Sequence, residues 1–295
     1  MRWAHAKAYL IAAFILLDSF LGYQLWTQRQ QQGSGYPLTM PSSQRQEALE
    51  QLDRANIAVD IEFPAVPEPM EWLVVSRPNE PVANLIARFF PGETPDVRHV
   101  DSNLGSRTYL LGRHSELTVF ENGRLEFRRY GLVPSPGDPQ VDETRARGAA
   151  QDFLKDYGGL PADAAGETVQ FDRSTGIYHV VWYQLYQGRA HFGARLEVLL
   201  TRDGQAYMIQ EIWPQPAGLE GPKKALLPAT DAVLRLAGSL VRQPADERIH
   251  IVAISLGYYS QAYNSDRWVE PPVWRILLGD GSVYHVNAYT GQLEP

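Results

Sequence analysis

The chain contains no cysteine. That excludes disulfides, thiol nucleophiles and every cysteine-ligated zinc or iron–sulfur centre. It leaves the compartment open, because cysteine-free chains suit the cytosol and the outer face of a Gram-positive cell alike. Basic residues are in deficit, 27 Lys and Arg against 34 Asp and Glu, for a net charge of −7. The deficit deepens once the first 30 residues are set aside, since these hold Arg2, Lys7 and Arg29 against Asp18 alone. An acidic body without a basic run argues against nucleic acid as a partner. Motifs that carry chemistry are missing too. The histidines His5, His99, His114, His179, His191, His250 and His285 form no H-x-H or H-x-x-x-H pair, so a metal site has no support. Neither a G-x-S-x-G elbow nor a phosphate-cradling glycine loop is present. Acids such as Asp96, Asp101 and Glu116 read as solvated loop or strand-edge charge rather than as the paired carboxylates of a glycosidase. The expectation is a non-enzymatic protein with no cofactor and no metal.

What is present is a globular composition, 44% hydrophobic and 21% charged over 295 residues, enough for two ordinary domains or three small ones. The longest apolar run is Ala8–Leu25, with Asp18 as its one charged group. Extended to Ala4–Trp26, it is long enough for a ~30 Å hydrocarbon core at about 1.5 Å per residue. Trp3, Tyr23 and Trp26 sit near its ends, as interfacial aromatics do. Arg2 and Lys7 precede it, so the positive bias places the N-terminus in the cytoplasm and the remaining chain outside. The rival is a cleaved signal peptide. Against it, Asp18–Tyr23 offers no small-x-small pair, and Gly33-Ser34-Gly35 lies well past the apolar end. The segment therefore reads as an uncleaved single-pass anchor over residues 1–26. Asp18 lies near its middle, where a charge costs about 2.5–3.5 kcal/mol on the insertion scale. At 100° per residue, Ile11, Phe14, Ile15, Gly22 and Leu25 share the Asp18 face. A small residue such as Gly22 lets a neighbouring backbone approach. These six residues are the candidate contact to a partner helix; the plain alternative is a tolerated polar residue in an adequate anchor.

Residues 27–43, polar with Gly and Pro, read as a flexible stalk. Beyond it, Ala48, Leu49, Leu52, Ala55 and Ile57 mark an amphipathic helix over Gln44–Ile57, best read as packed on its own domain. Proline-rich breaks at Pro134–Pro139 and Pro214–Pro222 divide the outer chain into stretches 44–137, 138–222 and 223–295. Each stretch holds one Asx-Gly between strand-like runs: Asn122-Gly123, Asp203-Gly204 and Asp280-Gly281. Asx-Gly is the strongest local hairpin signal, because both residues tolerate positive φ. Their near-constant spacing suggests one repeated unit. Helical periodicity precedes each hairpin, at Val82–Phe90, Glu143–Tyr157 and Thr230–Val241. The fold class expected is α+β, a helix followed by an antiparallel meander in each unit.

Two features invite a reading as surfaces. Arg124-x-Glu126-x-Arg128-Arg129 alternates charge along a strand, as a solvent face with cross-strand pairs does. Gly257–Trp268 concentrates three tyrosines and a tryptophan, suiting an interface or, slightly better, a small core. Trp182, Tyr183 and Tyr186 resemble a glycan platform, yet strand core is the better reading.

The order Trp3, Lys7, Phe14-Ile15-Leu16-Leu17-Asp18-Ser19-Phe20-Leu21 and Tyr23-Gln24-Leu25 strongly resembles the start of the YycI (WalI) family. Pro272-Val273-Trp274-Arg275-Ile276 and Tyr284–Gly291 resemble the closing strands of YycI chains and, more loosely, of PepSY-type modules. Val181–Tyr186 is similar in kind. The resemblance implies a membrane-anchored accessory regulator of the WalK/WalR two-component system. It implies a WalK-like sensor histidine kinase and a YycH-like protein as partners, an output in cell-wall turnover, and extracytoplasmic PepSY-like or YycH-like units. The alternative is a PepSY-type envelope inhibitor or chaperone of a secreted hydrolase.

Overall fold

The computed structural model describes residues 42–65, 67–101, 105–240, 248–261 and 265–295. The expected anchor, with Ile11, Phe14, Ile15, Asp18, Gly22 and Leu25, and the expected stalk up to residue 41 lie outside the described residues. Among the described residues no helix is long and apolar enough to cross a membrane.

The architecture is α+β. Helix α1 (Ser42–Arg54) leads into β1 (Ile57–Val59) and β2 (Met70–Ser76). Then a helix followed by a run of strands recurs three times. First come α2 (Val82–Phe89), β3 (Asp96–Asp101), β4 (Ser106–Leu111), β5 (Ser115–Phe120) and β6 (Leu125–Arg129). Next are α3 (Glu143–Lys155), β7 (Ala164–Asp172), β8 (Ile177–Tyr186), β9 (Arg189–Thr201), β10 (Ala206–Ile212) and β11 (Gln215–Lys224). Last are α4 (Ala229–Leu240), β12 (Ile249–Tyr258), β13 (Arg267–Glu270), β14 (Pro272–Leu278), β15 (Val283–Asn287) and β16 (Leu293–Glu294).

Local chemistry accounts for the element ends. Asp142 caps α3 by accepting the Arg145 N–H at 2.8 Å, and the Gly159 N–H closes the other end on the Leu154 carbonyl at 2.8 Å. All three Asx-Gly sites are hairpin turns, and all close in the same way. Gly123, Gly204 and Gly281 donate to the carbonyls of Phe120, Thr201 and Leu278 at 2.8–3.0 Å. Only the glycine takes positive φ, at 83–89°, so these are three-residue loops with a glycine bulge rather than two-residue turns. The Asx side chain works otherwise than by its backbone: Asn122 and Asp280 accept the N–H of Arg124 and Ser282.

Thirteen strands form one sheet. Antiparallel pairing dominates, and the two exceptions are the parallel pairs β1–β12 and β9–β12. The first run of strands joins the second through β6–β10, and the second joins the third through β9–β12. A smaller sheet has the order β11-β2-β13, so β11 of the second run and β13 of the third stand outside the large sheet, and only the first run is a meander throughout. Residues 57–76 therefore pair with strands of 215–295, through β1–β12, β2–β11 and β2–β13. The proline-rich segment after Trp213, expected to be a break, is strand β11. It tolerates Pro216 and Pro222 because it is an edge strand whose register shifts twice, between Pro216 and Gly218 and between Glu220 and Lys224. Helix α1 packs on its own domain, with Ala48 and Leu52 buried and Leu52 in a core with α4, β2 and β14. A second core lies between α2, α3 and strands β5, β6, β8, β9 and β10, centred on Phe89, Phe127, Phe153 and Trp182.

Candidate functional site

The site is built by a fork in the large sheet. Strand β9 holds β8 along one edge over nearly its whole length. Its other edge is shared. Ala190 and His191 pair with β12, whereas Arg195–Leu200 pair with β10. Between those stretches the β8–β9 register jumps, from Tyr183↔Arg195 to Gln184↔His191, and Phe192, Gly193 and Ala194 bulge out. The two branches of the sheet diverge there and leave an open cleft of about 1010 Å³. Phe192, Gly193 and Arg195 of β9 line it, with Tyr183 of β8, Arg275 of β14 and His285 of β15. Arg124 closes one wall and Tyr259 another.

Alternation along β14 explains the placing of Arg275. Trp274, Ile276 and Leu278 enter the core beside α4, so Arg275 must face the other side, level with His285. Arg275 is 6% exposed. Its Nη2 donates to Tyr183 Oη at 3.2 Å, and its guanidinium lies 5.3 Å from the Tyr183 ring and 5.6 Å from the Phe192 ring. Among the described residues its Nε has no hydrogen-bond partner and its guanidinium forms no ion pair. His285 stacks on Tyr259 with ring centroids 3.8 Å apart, and its Nε2 is likewise buried without a partner. Burial, and then the charges of Arg275 and Arg195, hold His285 at a pKa of about 3, so its imidazole is neutral at neutral pH. Burial likewise raises the Tyr259 phenol.

Behind the cleft runs a buried polar chain. His191 Nε2 lies 2.6 Å from Glu270 Oε2, with both side chains essentially sealed, 0% and 1% exposed. Neither atom has another hydrogen-bond partner among the described residues. The other imidazole nitrogen meets Gln184 Oε1 at 3.0 Å; Gln184 donates to Asp163 at 2.8 Å, and Trp213 donates to Asp163 at 3.2 Å. Glu270 Oε1 accepts from Trp268 Nε1 at 3.0 Å and from Ser260 at 3.4 Å. The order is Ser–Glu–His, with the carboxylate between hydroxyl and imidazole. A serine is activated by a base in direct contact, so this arrangement does not build an activated nucleophile. Gly193 lies close against this chain: a Cβ there would be 3.2 Å from His191 Nε2 and 3.3 Å from Glu270 Oε1, so those side chains would have to shift by a few tenths of an ångström.

Sequence reading placed none of its candidate contacts at this fork. The signal available was Arg275 itself, a lone cation inside the apolar run Val273–Leu278. The aromatic groups it did single out divide. Trp182, Tyr258 and Trp268 are core, while Tyr183 and Tyr259 line the cleft; Tyr263 lies outside the described residues. In the charged strand, Glu126 pairs with Arg124 at 3.4 Å, and Arg128 stands across from Glu116. Asp96 and Glu116 both register with Leu110 and so stand two strands apart, while Asp101 registers with Ser106 at the far end of β4. Among the described residues no group of three or more His, Asp or Glu could hold a metal ion.

No curated protein matches the chain. Among solved structures, an uncharacterised protein from Eubacterium rectale ATCC 33656 superposes with a TM-score of 0.50 at 12% identity, over 81% of this chain and 89% of that chain. That likeness is one of fold. The Bacillus megaterium YpeB C-terminal domain gives a TM-score of 0.36 at 13% identity, over 75% of this chain and 97% of that one, too distant to carry an argument. Residues 128–289, more than half of the sequence and including strands β7 to β15, match the YycI protein family, a family of non-enzymatic regulatory proteins. The chain belongs to the YycI protein family.

Proposed function

We propose that this chain is a membrane-anchored regulator that modulates a WalK-like sensor histidine kinase of cell-wall turnover, together with a YycH-like partner. The observation that carries the reading is the family match over residues 128–289. The N-terminal resemblance from Trp3 to Leu25 supports it from an independent part of the sequence. In this reading Ala8–Leu25 crosses the cell membrane once, with the N-terminus cytoplasmic and PepSY-like or YycH-like outer units facing the envelope. Ile11, Phe14, Ile15, Asp18, Gly22 and Leu25 meet a partner helix. Regulation is conformational: the chain shifts the kinase by no more than its differential affinity for the two signalling states.

Affinity purification of the full chain from membranes tests this. Recovery of a sensor kinase and a YycH-like protein is expected. Recovery of a secreted hydrolase with no kinase would instead favour a PepSY-type inhibitor or chaperone and sink the proposal.

A further inference from the structure

Among the described residues the side-chain carboxylates around the fork are engaged, Pro295 at the cleft's edge accepts from Tyr259 Oη at 2.9 Å, and one buried cation is left over. Glu294 accepts from Asn287 Nδ2 at 2.7 Å. Glu270 is held by His191 and Trp268. Glu197 lies 2.7 Å from His179 Nδ1 and 4.0 Å from Arg195. Glu126 is taken by Arg124. Arg275, more than nine-tenths buried, forms no ion pair among the described residues. A buried guanidinium without a counter-ion is costly. The cleft beside it is roomy and open, and Tyr183, Phe192, Tyr259 and Tyr284 form part of a lining that also carries polar groups.

We infer that the cleft at the sheet fork binds an oxyanion, carboxylate or phosphate, carried on an apolar or aromatic body, with Arg275 as its anchor. The planar guanidinium matches either oxyanion with parallel donors, which an ammonium does not. Tyr183 and Phe192 hold the guanidinium plane in position, so little side-chain freedom is lost on binding. Arg195, on the rim and half-exposed, adds a second positive charge. The Tyr259–His285 stack offers the flat surface against which the body of the ligand packs. The neutral His285 adds a polar nitrogen without competing for the anion. This site is additional to the kinase-regulator reading and stands or falls separately from it.

The test uses the full-length chain in detergent and two matched pairs of probes. N-acetyltyrosine is compared with N-acetyltyrosinamide, and phenyl phosphate with phenol. Binding is followed by calorimetry and by the thermal midpoint. At least one charged probe is expected to bind tenfold or more tighter than its uncharged match, and the pair that does so identifies carboxylate or phosphate. Arg275→Met is expected to erase that preference, a loss of roughly tenfold to a hundredfold. It should also melt no lower than the parent, because an unmatched buried cation is removed. Arg195→Gln should weaken binding less. Equal binding of charged and uncharged probes to the parent chain would overturn the inference. So would an Arg275→Met variant that melts well below the parent, since Arg275 would then be a structural residue.

Discussion

His285 should make the outer body acid-sensitive in a way one substitution removes. Burial holds its folded pKa at about 3, against an ordinary value of about 6.5. Between those values the unfolded chain carries a proton that the folded chain refuses. Stability contributed by the neutral imidazole is therefore full above the unfolded value and is lost as pH falls below it. The slope is about 1.4 kcal/mol per pH unit for one proton. Acidification to about pH 5 crosses roughly one and a half units of that window and should cost about 2 kcal/mol. For a body of this size that is a fall in midpoint of about 4–8 °C. Other groups titrate as well, so the comparison must be a double difference. His285→Phe keeps the stack on Tyr259 and cannot be protonated. Arg275 and Arg195, whose charges face His285, and Glu294 across the β15–β16 pair, remain in both proteins. Urea unfolding of both at about pH 7, 6 and 5 gives the result. Relative to the parent, the variant should gain about 2 kcal/mol at the lowest pH. Parallel curves would refute the burial argument.

Gly257 abuts β9 so closely that an added Cβ would press into the Ala190 carbonyl and the Phe192 ring. Gly257→Ala should therefore cost about 1–3 kcal/mol in urea unfolding and splay the fork. His191→Leu leaves Glu270 buried and unpaired and should cost about 3–5 kcal/mol; adding Glu270→Gln, which still accepts from Trp268, should recover at least about 1 kcal/mol of it. Asp18→Leu makes the proposed anchor more apolar yet should weaken association with the kinase by about 0.6–2 kcal/mol, roughly threefold to thirtyfold in affinity by co-purification at matched membrane levels.

The parts of this molecule that were legible in its sequence are those fixed by short stretches of chain. Asn122-Gly123, Asp203-Gly204 and Asp280-Gly281 announce their hairpins because a glycine at positive φ is needed at one point of each loop. Helices α2, α3 and α4 show themselves by apolar spacing, and Asp142 and Gly159 mark the ends of α3. Long-range pairing left no such mark. Nothing in Met70–Ser76 says that it will lie between β11 and β13. Pro216 and Pro222 read as a break because proline's cost in a strand depends on whether that strand ends up at an edge. The cleft was illegible for the same reason. It depends on where β12 leaves β9 and β10 takes over, and only then do Tyr183, Arg275 and His285 become neighbours.

The central claim is that this chain changes the signalling state of a sensor kinase, and phosphorylation reports that state directly. A WalK-like kinase would be reconstituted in proteoliposomes with a YycH-like protein, with and without the full-length chain, at matched membrane density. Its autophosphorylation rate and phosphotransfer to the response regulator would then be measured. The expected result is a change in rate that requires this chain and disappears when Ala8–Leu25 is exchanged for an unrelated apolar helix of equal length. Identical rates with and without the chain, in a membrane where all three proteins are present, would contradict the claim.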